Sequence, residues 1–213
     1  MMCRKKAFNM VEISIVVILL ITTILVCLPT IFTNTKQAKI ISNWKRIYSE
    51  VESNFDMFGI NDYENVSAIC HSNVQNKEDE VFKVIGPYLG TDFSILPNKL
   101  KTYKYKYLNG SQVSKNSIYY TRKFAFDDDG TIVAFKMLNC PCTENEPCAV
   151  ALFDLNGTNP PNKIGEDIFG MFLYRKKIAA FGSELSNDEL QSACSKNKIG
   201  TSCSEFYLRG GKF

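Results

Sequence analysis

Residues 13–32, ISIVVILLITTILVCLPTIF, run for twenty positions without a charge. As a helix rising about 1.5 Å per residue, such a run extends roughly 30 Å, the thickness of a bilayer's hydrocarbon core. Arg4, Lys5 and Lys6 precede it, and one acid, Glu12, stands at its leading edge. A carboxylate in that position costs a few kcal/mol on insertion scales, so it calls for a partner. The expectation is a membrane-spanning helix at about residues 13–32, with the rest of the chain carried by it.

The 213 residues suffice for that helix and one modest globular domain. The formal charge of +3 resides in the leader: without Arg4, Lys5 and Lys6, 22 basic residues face 22 acidic ones. Net basicity therefore gives no reason to expect a nucleic-acid partner. Of eight cysteines, Cys3 lies in the leader and Cys27 in the apolar run. The other six are Cys70, Cys140, Cys142, Cys148, Cys194 and Cys203, an even set that reads as disulfides in an exported domain. Cations before the helix place the N-terminus in the cytoplasm and the large C-terminal part outside. Charge bias and cysteine usage thus agree on the compartment.

A secretory signal peptide would have a shorter apolar core and a small-residue cleavage site after it; neither is present. A plain anchor fits the length but leaves Glu12 without a purpose. The order here is a short basic leader, Ala7, Phe8, three residues, Glu12 and then the apolar helix. This resembles the prepilin cleavage and methylation motif of type IV pilins and type II secretion pseudopilins. The resemblance covers roughly the first thirty residues. It implies that a membrane peptidase cuts between Ala7 and Phe8 and methylates Phe8. It also implies that Pro29 occupies the place of a helix-breaking proline. Ala7 stands where glycine is usual, and Asn9 where threonine is usual.

Cleavage would create an amine at Phe8, four residues before Glu12 and on the same helix face. In a fibre, Glu12 of one subunit can meet the amine of its neighbour inside an apolar core. Low dielectric strengthens that attraction and penalises a register that leaves the acid alone. The pair would set stagger more than adhesion.

Further along, Ile40, Trp44, Ile47, Tyr48, Val51, Phe55 and Phe58 recur at helical spacing, with Gly59 as the expected stop. This predicts one long helix from residue 8 to about 58, kinked or locally melted at Pro29, its second half packed under a domain. Residues 78–85 read as a short helix ended by Gly86-Pro87. Residues 101–107, KTYKYKY, alternate as a half-buried strand with a solvated lysine face. Three lysines are too thin a footprint for a nucleic-acid strip. Residues 123–126 and 131–138 read as a hairpin, and residues 149–153 as a third strand. Residues 168–174 and 178–181 bracket a tight turn. Ser186 with Glu189 makes a capping box, and residues 205–208 read as a last strand. The resulting class is α+β: a long N-terminal helix, membrane-spanning in its first half, packed on an antiparallel sheet as the pilin resemblance implies. The domains are a leader at 1–7, the helix at 8–59 and an exported α+β domain at 60–213.

In the stretch DLNGTNPPNKIGEDIF, Asp154, Asn156 and Asp167 are candidate ligands of a structural calcium ion, since some pseudopilins hold calcium in such a loop. The twelfth position is Gly165 rather than glutamate, so this is no EF-hand. The competing reading is a polar loop whose side chains bond their own backbone. Cys194 and Cys203 are the expected couple, closing a short loop; the pairing of Cys70, Cys140, Cys142 and Cys148 stays open. No enzyme signature is present, and Cys70 beside His71 is not placed for a nucleophile pair.

These features converge on a structural subunit of a type IV pilus or type II secretion pseudopilus, the choice between them left open. Its expected partners are the prepilin peptidase, related subunits, the inner-membrane assembly platform and the lipid bilayer. Its expected place is the inner membrane, with the domain outside. The alternative is a single-pass anchored binding domain that never polymerises.

Overall fold

The computed structural model describes residues 10–91, 103–121, 123–126 and 130–212. The chain divides into two units, Met1–Lys39 and Ile40–Phe213. Helix α1 covers Met10–Asn61. Within the second unit it buries Trp44, Ile47, Val51, Phe55 and Phe58, a spacing of three and four that lines one helix face. The helix passes the expected stop at Gly59. That glycine serves packing instead: a Cβ there would lie 3.1 Å from the Arg175 carbonyl oxygen. Helical secondary structure also continues through Pro29, in place of the expected melted turn.

The membrane-spanning first half is corrected. Among the described residues no helix is long and apolar enough to cross a membrane.

Helices α2 (Tyr63–His71) and α3 (Lys77–Ile85) follow, and a 3-10 turn over Gly86–Leu89 ends α3 where Gly86-Pro87 predicts. The strands are β1 (Lys106–Tyr107), β2 (Lys123–Phe126), β3 (Ile132–Met137), β4 (Ala149–Asp154), β5 (Lys163–Ile164), β6 (Ile168–Leu173) and β7 (Ile178–Ala180). They form one sheet in the order β1-β5-β6-β4-β3-β2, with β7 also on β6. The expected hairpin, third strand and β6–β7 turn are present as antiparallel pairs.

The expected wholly antiparallel sheet is also corrected, because β1–β5 and β5–β6 are parallel. The cause is local. The Asp167 carboxylate accepts the backbone N–H groups of Asn162 and Lys163, at 2.9 and 2.6 Å, and so folds β5 back beside the start of β6.

The sheet is covered on both faces. One face presents Val133, Phe135, Ala151, Phe153, Phe169 and Met171 to the buried stripe of α1 and to α2 and α3. Phe82 of α3 stacks on Phe135 at 4.5 Å. The other face presents Ile132, Ala134, Val150, Leu152 and Ile168 to an arm, residues 103–121, that contributes Tyr103, Tyr105, Tyr107 and Tyr119. Along that arm Tyr105 is buried while Lys104 and Lys106 are exposed, as the alternation predicts. Gly170 lets the Phe181 ring lie on β6, since a Cβ there would come within 2.3 Å of it.

Helix α4 (Asn187–Ala193) starts at Ser186 with the predicted capping box to Glu189. The expected last strand is a helix, α5 (Cys203–Leu208). Helical turning sends Tyr207 into the core, and Glu205 meets Arg209 at 2.7 Å with i,i+4 spacing.

Trp44 ties these parts together. Its ring stacks on Phe169 at 5.4 Å, and its Nε1 donates to the Ser204 carbonyl at 2.8 Å. The Ser204 hydroxyl oxygen in turn accepts from the Gly170 N–H at 2.9 Å. Trp44→Ala should lower unfolding free energy by about 3–5 kcal/mol. Trp44→Phe, which keeps a ring but removes the indole donor to a carbonyl already inside α5, should cost about 0.5–1.5 kcal/mol. Urea titration followed by far-ultraviolet circular dichroism measures both.

Candidate functional site

Ala7 and Phe8, the expected cleavage pair, lie outside the described residues. Glu12 and Pro29 fall within α1, and their side chains lie outside the described set. The neighbouring side chains are described. Ile15, Val16, Val17, Ile18, Leu19, Leu20 and Ile21 are all exposed, Ile18 at 60% and Val17 at 45%. Seven consecutive apolar residues step right round a helix at about 100° each. The surface is therefore apolar on every side, a feature that marks an interaction surface. Ser14 and Thr23 do not interrupt it: each hydroxyl donates back to its own helix, to the carbonyls of Met10 and Leu19.

The structure brings Asp154, Asn156 and Asp167 together. Asp154 ends β4 and Asp167 is the turn residue just before β6, the strand beside it; they are 2% and 0% exposed. Asp167 accepts the Asn162 and Lys163 N–H groups, and also Asn156 Nδ2 at 3.1 Å. Asp154 accepts the Asn156 N–H at 3.2 Å and the Tyr103 hydroxyl. Calcium takes six to eight oxygen ligands. Here the carboxylates face N–H and O–H donors, and Asn156 turns its NH₂ toward Asp167. Asn156 Oδ1 is buried without a hydrogen-bond partner, but it is a single oxygen. Among the described residues no group of three or more His, Cys, Asp or Glu could hold a metal. The arrangement does not fit the ion; the turn is closed by its own backbone.

Tyr103 is the participant that sequence reasoning missed. Its alternation with lysine marks it as inward-facing, but its aspartate partner is 51 residues away. Burial pushes the Asp154 carboxyl up to about 8, and the nearby Asp167 adds to this. Burial raises Asp167 as well, against the pull of its N–H donors. Burial and the Asp154 charge push the Tyr103 hydroxyl above its ordinary range. The folded state therefore holds the Asp154 proton more tightly than the unfolded chain, where such a carboxyl titrates near about 3.9. The stabilisation is complete below about pH 4 and is lost as pH rises through about 8. Wild-type stability should fall by up to about 1.4 kcal/mol per pH unit across the middle of that window. Asp154→Asn, which mimics the neutral acid, should flatten the fall; urea unfolding at pH 5, 6, 7 and 8 measures it.

All six domain cysteines are in disulfides. Cys194–Cys203 joins α4 to α5 as expected. The open pairings are Cys70–Cys140 and Cys142–Cys148. The first staples the end of α2 to the loop after β3, across 70 residues. Tyr63 braces the same loop by donating its hydroxyl to the Cys142 carbonyl at 2.8 Å. Cys70 is thus no free nucleophile, and His71 places Nδ1 2.8 Å from the Ser67 carbonyl oxygen of its own helix.

No family model, curated protein or solved structure matches the chain.

Proposed function

We propose that the chain is a structural subunit of the prepilin type, serving a type IV pilus or a type II secretion pseudopilus. It is cut between Ala7 and Phe8 by a prepilin peptidase, methylated at Phe8 and recruited by an assembly platform. Copies then join through their N-terminal helices. The observation that carries this reading is the apolar surface of residues 15–21, exposed on every side of α1. In a helical assembly, the same segment of neighbouring copies covers it.

Two further features support the reading. Glu12 stands four residues from the amine that cleavage would expose, the spacing of an acid meant to pair on assembly. Three disulfides suit a domain exported to an oxidising compartment. The role is one of assembly rather than catalysis.

Intact-mass measurement of the chain from cells with a working prepilin peptidase should show loss of residues 1–7 and gain of one methyl group. A chain that keeps Met1 throughout would remove the proposal. Glu12→Ala should leave cleavage unchanged and deplete fibres by about tenfold or more, as expected for a buried charge left without its partner.

A further inference from the structure

Three stretches of the chain carry the spacing Asn-x-Ser/Thr with no proline between: Asn65-Val66-Ser67, Asn109-Gly110-Ser111 and Asn156-Gly157-Thr158. That spacing is the acceptor pattern for attachment of a glycan to an asparagine amide on the surface of an exported protein. The pattern by itself does not choose among the three. The fold does.

Two of them are unsuited. Asn65 lies in α2, where residues two apart do not face each other, so Ser67 is turned away from its side chain. Its Nδ2 is also engaged, donating to Asp62 Oδ1 at 2.7 Å. Asn156 is half-buried. Its Nδ2 donates to Asp167 at 3.1 Å, and its Oδ1 is enclosed.

Asn109 differs on each count. It stands in a tight turn of the arm: the Gly110 N–H donates to the Tyr107 carbonyl, and the Tyr107 N–H to the Ser111 carbonyl, each at 2.9 Å. Asn109, Gly110 and Ser111 are all exposed. Gly110 has φ +83°, and a Cβ built on it would meet nothing within 4 Å, so the tip stands clear of the domain. The turn is held from below, where the Leu108 and Asn109 N–H groups donate to the Ile199 and Lys198 carbonyls at 3.1 and 3.0 Å. Those carbonyls belong to the loop closed by Cys194–Cys203.

The Asn109 side chain folds onto its own acceptor triplet. Its Oδ1 accepts the Ser111 N–H at 3.0 Å and the Ser111 hydroxyl at 2.7 Å. Both bonds fall on the oxygen, and no hydrogen bond among the described residues holds Nδ2. When an amide loses a proton from nitrogen, the negative charge collects on its oxygen. Donors aimed at that oxygen favour the charged form, so they make Nδ2 easier to deprotonate and a better nucleophile.

We propose that Asn109 is an N-glycosylation site that takes its glycan from a lipid diphosphate donor. In the transfer, Nδ2 bonds to the anomeric carbon of the first sugar. The bond from that carbon to the diphosphate oxygen breaks, and the lipid diphosphate leaves with the electron pair. One Nδ2 proton passes to a base of the transferase, and nothing is oxidised or reduced. The inference rests on export of the domain, one part of the reading above, and holds whether or not copies assemble.

The test uses the full chain purified from the cells that make it. Trypsin, cutting after Lys106 and Lys115, releases peptide 107–115, which contains Asn109 and neither of the other triplets. Its mass should exceed that of the bare peptide by a whole glycan, and fragmentation should place the glycan on Asn109. Asn109→Gln and Ser111→Ala should each remove that glycan, whereas Ser111→Thr, which keeps the hydroxyl, should retain it. Asn65→Gln should leave peptide 107–115 modified as in wild type. Circular dichroism spectra that match wild type show that the variants are folded. A bare peptide from a chain whose six domain cysteines are oxidised overturns the site and leaves export standing. So does a sugar carried by Ser111 or Ser114 in place of Asn109. Free thiols at those six cysteines overturn export and the site together.

Discussion

The structure depends on the fit of one helix face against one sheet face. Trp44, Ile47, Val51, Phe55 and Phe58 bring five large side chains to the sheet from a single stretch of α1. Trp44 does more than fill space. Its indole N–H reaches the first turn of α5 at Ser204, and Ser204 in turn holds a backbone N–H of β6. One side chain near the start of the domain thereby aligns its last helix with its central strands. Hydrophobic burial drives the approach, and the two hydrogen bonds fix the register at which it stops.

The opposite face is built differently. It is covered by an irregular arm whose tyrosines carry a polar tip on an apolar body. Tyr105 donates its hydroxyl to the Tyr119 carbonyl, and Tyr103 gives its hydroxyl to Asp154. Rings fill the face while hydroxyls satisfy buried acceptors, so an arm with little secondary structure of its own can still close a core. The cost is a buried acid that keeps its proton, which makes the arm's anchorage sensitive to alkali.

Much of this was legible in the sequence. The periodicity of 40–58, the hairpin at 123–138, the capping box at Ser186 and the Cys194–Cys203 couple rest on contacts within a few residues or turns, so spacing reveals them. The helical ending at 203–208, the parallel pairing of β5 and the aspartate turn were not legible. A two-residue strand shows no alternation, and six residues fit a strand or a helix equally well. Asp154 and Asp167 read as ion ligands until the fold supplied Tyr103 and the backbone of residues 162–163 as donors. Membrane passage, read from a twenty-residue apolar run, is not met by any described helix. The sequence by itself determined which residues seek burial and which carry charge, because those are properties of single side chains and their local spacing. Tertiary structure alone decided which distant groups meet, because a hydrogen bond spanning 51 or 160 residues leaves no trace in the order of the chain.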